Sequence, residues 1–221
     1  MSRLVFDAPT HRYTLDGVLV PSVTGILKAS GLVDFSHIPA ATLDAARERG
    51  TVVHQAVHFY NEHDLDVDAF RADFPDFAGY LDGWLAFCAQ RRFEPVLCEH
   101  RVASPRHGVA GTLDALGLLD GVPALLDYAT GNPADAAKDL QTAAYLGLAY
   151  EWAEQADPAL GLFLSAHPAI ARYAVALRAD GTFKLEPYRN PADFRHFLAL
   201  NDAQRIIRAR LGARARSEVF A

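Results

Sequence analysis

Two strongly apolar runs, VAGTLDALGLL (109–119) and PALLDYA (123–129), tie the middle of this chain to paired strands. Between them stands Asp120-Gly121, whose residues tolerate the positive φ values of a two-residue hairpin turn. If the hairpin closes there, facing positions sum to about 241, and Asp127 lies opposite Asp114. Side chains alternate along a strand, so Asp127 shares a face with Leu125 and Ala129, and Asp114 with Thr112 and Leu116. An acid at the end of a buried strand is costly unless something binds it. Two acids at cross-strand distance, about 5 Å between Cβ atoms, repel unless a cation lies between them. Paired hard oxygen ligands suit Mg²⁺ or Mn²⁺ better than zinc. The alternative is that each aspartate caps a turn or pairs with an arginine, and composition does not decide between these.

The rest of the chain supplies elements to cover such a sheet. LVFDAPTHRYTLDGVLVPS reads as short strands joined by turns, with a tight turn at Asp16-Gly17, and Ser22 or Thr24 can cap the helix that follows. Residues 40–63 read as a helix with Val53, Ala56, Val57 and Tyr60 on one face, and Gly50 within it suggests a close approach. FPDFAGYLDGWLAFCAQRR repeats Phe77, Tyr80, Leu81, Trp84, Leu85 and Cys88 at helical steps, a stripe made for packing rather than base stacking. EPVLCEHRVAS precedes the hairpin as a strand, and ADAAKDLQTAAYLGLAYEWAEQ follows it as a long helix. LGLFLSA, IARYAVALR and TFKLEPY read as further strands, and a last helix runs from about Pro191 to Leu211, ending at Gly212. The expected architecture is one α/β domain around a mixed sheet.

Bulk properties exclude little but exclude it firmly. The 221 residues are 51% hydrophobic and 22% charged, with no apolar run approaching the ~20 residues that span a bilayer. MSRLVFDAPTHRY lacks the layout of a secretory signal, so a cytoplasmic location is expected. With only Cys88 and Cys98, neither a disulfide framework nor a four-cysteine cluster can form. A net charge of −6 argues against coating nucleic acid by charge alone. The charges are unevenly spread: residues 61–82 are acidic, while RIIRARLGARAR (205–216) holds five arginines and no acid. That run is either a solvated helix face or an edge that contacts phosphates.

At this point the residues resemble a family. GTLDALGLLDGVPALLDYATG resembles the core motif of the PD-(D/E)XK nuclease superfamily, in its RecB-like and phage or mitochondrial single-strand exonuclease branch. There an aspartate on one strand precedes an Asp-x-Lys on the next, often Asp-Tyr-Lys-Thr-Gly. This chain matches Asp114, Asp127, Tyr128, Thr130 and Gly131, and departs at Ala129, where the lysine belongs. RGTVVHQA (49–56) is similar to the family's histidine helix, Glu99 stands where the preceding strand usually carries an acid, and LQTAAYLGLAY resembles the Gln-x-x-x-Tyr helix. VPSVTGIL is common near the N-terminus of that branch.

The resemblance, which spans about residues 5–190, implies a restriction-endonuclease-like mixed sheet flanked by helices, with an N-terminal β-hairpin and helical extension. Residues 1–221 would be one nuclease domain: 1–75 covering the site, 76–190 the core, 191–221 the C-terminal helix. It implies metal-dependent hydrolysis of DNA, single-stranded or at ends, with two Mg²⁺ or Mn²⁺ ions. His54, Asp114, Asp127 and the Tyr128 carbonyl would be metal ligands; Glu99 would be an outer or substrate-dependent ligand; Gln141 and Tyr145 would touch the scissile strand or orient the acids. Ser22, Thr24, Arg49 and Thr130, with Gln141 and Tyr145, would contact DNA, and Phe59 or Tyr60 could stack bases. His58, one turn from His54, lacks the intervening glutamate of a zinc protease and reads as structural. A methyl group at Ala129 cannot stabilise hydroxide or developing charge, so the chain is expected to be catalytically impaired. Either a lysine has been replaced there on purpose, which needs a single change, or the chain is a naturally inactive DNA-binding module on the nuclease scaffold.

Overall fold

The computed structural model describes residues 2–36, 38–132 and 137–219, with side chains described as far as residue 211. It is a mixed α/β molecule with two sheets. The first is a small antiparallel meander of β1 (Leu4–Asp7), β2 (Arg12–Leu15) and β3 (Val18–Val20). Asp16 and Gly17, at φ 52° and 81°, form the expected tight turn between β2 and β3. The second is the five-stranded central sheet in the order β4 (Phe93–Ser104), β5 (Val109–Leu119), β6 (Val122–Ala129), β7 (Ala171–Leu177), β8 (Phe183–Tyr188).

All neighbours in the central sheet are antiparallel except β6 and β7. A parallel pair needs a crossover. It is supplied by α5 (Lys138–Gln155) and α6 (Pro158–Ala166). Asp120 and Gly121, at φ 51° and 78°, close the β5–β6 hairpin, and Leu119 pairs with Val122 and Ala115 with Leu126, the expected register.

Helices cover both faces. Leu116 and Leu125 pack in a core with α1 (Val23–Ala29), α5, α6 and the start of α7 (Asp193–Val219). Ala115, Leu126 and Tyr128 pack with Val53 and Val57 of α2 (Ala40–Asn61) and with Trp84 and Phe87 of α4 (Pro75–Arg91). The aromatic stripe of α4 is therefore core, and the Trp84 indole N–H donates to Asn61 Oδ1 at 3.1 Å. A short α3 (Val67–Asp73), capped by Asp66, lies between α2 and α4. Tyr13 donates to or accepts from Thr112 Oγ1 at 2.8 Å, and Ala110 N donates to the Pro21 carbonyl at 3.1 Å, which fastens the meander and α1 to β5.

Three expectations are corrected. LGLFLSA is helical, not a strand: Asp157 accepts from Leu160 N at 3.0 Å, Pro158 occupies the first turn, and Leu160, Phe163 and Leu164 are buried at helical spacing. The last helix does not stop at Gly212 but continues to Val219. Gly50 marks no close approach, since a Cβ there would meet nothing within 4 Å.

Candidate metal centre

The acids form a row across three strands. Cys98 pairs with Ala115 and His100 with Leu113, so Glu99 stands opposite Asp114; the β5–β6 register places Asp127 on the other side of Asp114. Glu99 has φ 46°, in the left-handed region that a non-glycine residue occupies at a cost of about 1–2 kcal/mol.

His54 reaches the row from the middle of α2. Its Nδ1 lies 3.7 Å from Glu99 Oε1 and 3.9 Å from Asp114 Oδ1, and its Nε2 lies 3.0 Å from the Tyr128 carbonyl oxygen. One ligand atom from each of His54, Glu99 and Asp114 lies within 4.8 Å of the other two, a spacing at which groups can share a cation. The other oxygen of Asp114 accepts from Tyr128 N at 2.9 Å, which fixes the carboxylate's orientation. Burial, and then the charge of Asp127, push the Asp114 carboxyl up to about 8, against the opposing pull of His54. For His54, burial disfavours the cation, but Asp114 and Glu99 outweigh it and the net shift is upward. The upward shift at His54 and the Asp127 contribution at Asp114 both reflect neighbouring carboxylates, whose charge a divalent ion would offset.

Asp127 stands apart from this trio. It is fully buried, and neither oxygen accepts a regular hydrogen bond among the described residues. Its neighbour is the Lys138 ammonium at the start of α5, which closes on Oδ2 as an ion pair. Relative to the sequence expectation, Glu99 is thus inside the ligand cluster and Asp127 is held beside it. A buried carboxylate with an orphaned oxygen fits a hard cation, and so does the all-oxygen-plus-imidazole donor set.

The neighbouring expected residues fall around one opening. Arg49, His54, Tyr128, Ala129, Thr130 and Lys138 border a cleft of about 640 Å³. An adjoining cavity of about 340 Å³ is bordered by Thr24, Gln141 and Lys138. Gln141 Nε2 donates to the Tyr145 hydroxyl at 3.2 Å, and both side chains are buried. Burial, then Asp127 and Asp114, hold the Tyr145 phenol well above its ordinary range, so it stays a neutral donor beside the acids. Ser22 caps α1 by accepting from Gly25 N at 3.0 Å; Thr24 is not the cap. His58 pairs at 3.7 Å with Glu62 of its own helical stretch and takes no part in the cluster. Phe59 is exposed, whereas Tyr60 packs partly into the core. In the arginine run, Arg205 pairs with Asp202 on the exposed side of α7; Arg214 and Arg216 lie outside the described side chains.

Two residues that matter here had no sequence signal strong enough to single them out. Lys138 is one of the few lysines in the chain, but its place depends on the path of α5. Arg172 on β7 is buried and donates to the Asp139 carbonyl (2.7 Å), the Asn190 carbonyl (3.1 Å) and Asp193 Oδ2 (2.8 Å). It ties the first turn of α5 to β7 and to the start of α7.

No protein-family model matches the chain, and no curated protein matches it significantly. No helix among the described residues is long and apolar enough to cross a membrane.

Proposed function

We propose that this protein is a metal-dependent deoxyribonuclease of the PD-(D/E)XK type, with the restriction-endonuclease-like core in β4–β7 and α5, acting on single-stranded DNA or DNA ends. The observation that carries the reading is the row of Glu99, Asp114 and Asp127 on adjacent strands, met by His54 and the Tyr128 carbonyl. These groups would hold Mg²⁺ or Mn²⁺, which when bound supplies an activated water and a counter-charge for phosphodiester hydrolysis. The Tyr128 N–H keeps Asp114 pointed at the cluster. Gln141 and Tyr145, linked to one another, form a neutral polar wall next to the acids. Arg49, with Lys28 and Arg47, gives the cleft a basic side for a phosphate backbone in a protein that is acidic overall. At the family's lysine position Ala129 offers only a methyl group. This favours a second reading, a DNA-binding module that does not cut.

End-labelled oligonucleotides incubated with Mg²⁺ or Mn²⁺ test the first reading on the chain and on its Ala129→Lys variant. At least one should release shortened products, and Asp114→Asn should abolish the release. If both are inert while DNA is still bound, with affinity falling steeply as salt rises, the non-cutting module replaces the nuclease. If neither cuts nor binds, both readings fail.

A further inference from the structure

We propose that Lys138, delivered from the first residue of α5, supplies the cation that the β6 strand lacks at Ala129, so that the chain as it stands is a competent nuclease. The inference rests on the nuclease reading above and concerns the working parts of the same site. Three observations carry it.

Lys138 is nearly buried, and its ammonium is on Asp127, the acid of β6. Burying an ion pair is costly, and Asp127 has no other described partner to account for the choice. Lys138 and Ala129 border the same cleft, together with His54 and Tyr128. Finally, its backbone is held: Arg172 donates to the carbonyl of the next residue, Asp139, and Thr142 Oγ1 donates to the Lys138 carbonyl at 2.7 Å. The ammonium is therefore placed by an anchored helical turn, not by a loose surface chain.

In hydrolysis one water adds across a P–O ester bond. Its oxygen joins phosphorus, the bond to the leaving nucleoside oxygen breaks, the water gives up a proton to solvent and the leaving oxygen takes one back. Lys138 is not consumed. Were Asp127 to hold a divalent ion, the Lys138 ammonium would be free to face a phosphate bound beside it. There a fixed positive charge stabilises the extra negative charge that builds up, a contribution usually worth a factor of at least about a hundred in rate.

The test compares the unaltered chain with Lys138→Met, Lys138→Gln and the double variant Lys138→Met/Ala129→Lys. Two readouts are used: cleavage of an end-labelled oligonucleotide with Mn²⁺, and Mn²⁺ affinity by calorimetry without DNA. The expected result is that the unaltered chain cuts and that Lys138→Met loses at least about a hundredfold in rate. The same variant should bind Mn²⁺ as tightly or more tightly, because a competing cation has left Asp127. Moving the lysine to position 129 in the double variant should restore cleavage. If Lys138→Met does not fold, Lys138→Gln, whose amide still donates to Asp127, must show the same loss with Mn²⁺ binding kept. The inference is overturned, with the nuclease reading intact, if Lys138→Met or Lys138→Gln cuts as well as the unaltered chain. It is equally overturned if the unaltered chain is inert while the single variant Ala129→Lys, assayed alongside the others, cuts. Inertness of every form overturns the nuclease reading and this inference with it.

Discussion

At the scale of single residues, the molecule buries several charges and compensates some of them fully and others only in part. Arg172 and Asp193 are the clearest structural case: both are buried, and the guanidinium spends its N–H groups on Asp193 and on the Asp139 and Asn190 carbonyls. Removing one partner of such a pair leaves a charge without compensation, which costs about 3–5 kcal/mol. Asp193→Ala should lower the unfolding free energy by that amount, read from urea denaturation. A loss under about 1 kcal/mol would mean that the arginine finds new partners. Glu99, Asp114 and Asp127 are the opposite case, a row whose compensation is incomplete in the protein alone. Asp114 and Asp127 were legible in the sequence as facing acids, because a two-residue turn fixes register by counting. The position of Lys138 was not legible, since residues eleven apart along the chain meet only through the path of a helix.

At the scale of elements, legibility followed the strength of the local signal. The Asp16-Gly17 and Asp120-Gly121 turns set strand pairing because both positions of each adopt positive φ. The helical period of α4 is plain in the sequence because five large side chains and Cys88 mark it. LGLFLSA resembles a strand in sequence because a short apolar run has no period that separates strand from buried helix; the deciding signal lies just upstream, in the capping Asp157-Pro158 pair. Glycines show the same limit. Gly50 has open space around it, while a Cβ on Gly79 would sit 1.8 Å from the Ala179 carbonyl oxygen in the connection between β7 and β8. Gly79→Ala should therefore force α4 off the sheet edge, with a loss of about 1–3 kcal/mol or more. Gly50→Ala should gain about 0.5–1 kcal/mol from helix propensity. Thermal melts of the two variants should move in opposite directions; a shared direction would contradict the packing described for α4.

At the scale of the whole molecule, the candidate centre draws on α2, β4, β5, β6 and α5, so an ion bound there would brace elements from most of the fold. A ligand held only by the native state adds about 2.7 kcal/mol at a hundred times its dissociation constant. For a chain of this size that corresponds to a rise of roughly 5–10 °C in Tm. Mn²⁺ should produce such a rise, EDTA should reverse it, and His54→Ala should remove it. An unchanged Tm across millimolar Mn²⁺ would count against the proposed centre.

The attachment of the meander has a consequence of its own. Tyr13, Leu15, Val23, Ile26 and Leu27 share one core with Val109, Ala110 and Leu113, and Pro21 and Ala110 join by a backbone hydrogen bond. The opening thirty residues are thus not a cap that evolution could exchange freely. In any lineage keeping this architecture, a swap of that segment would have to bring along the matching strip of β5, so the two stretches are bound to change in step.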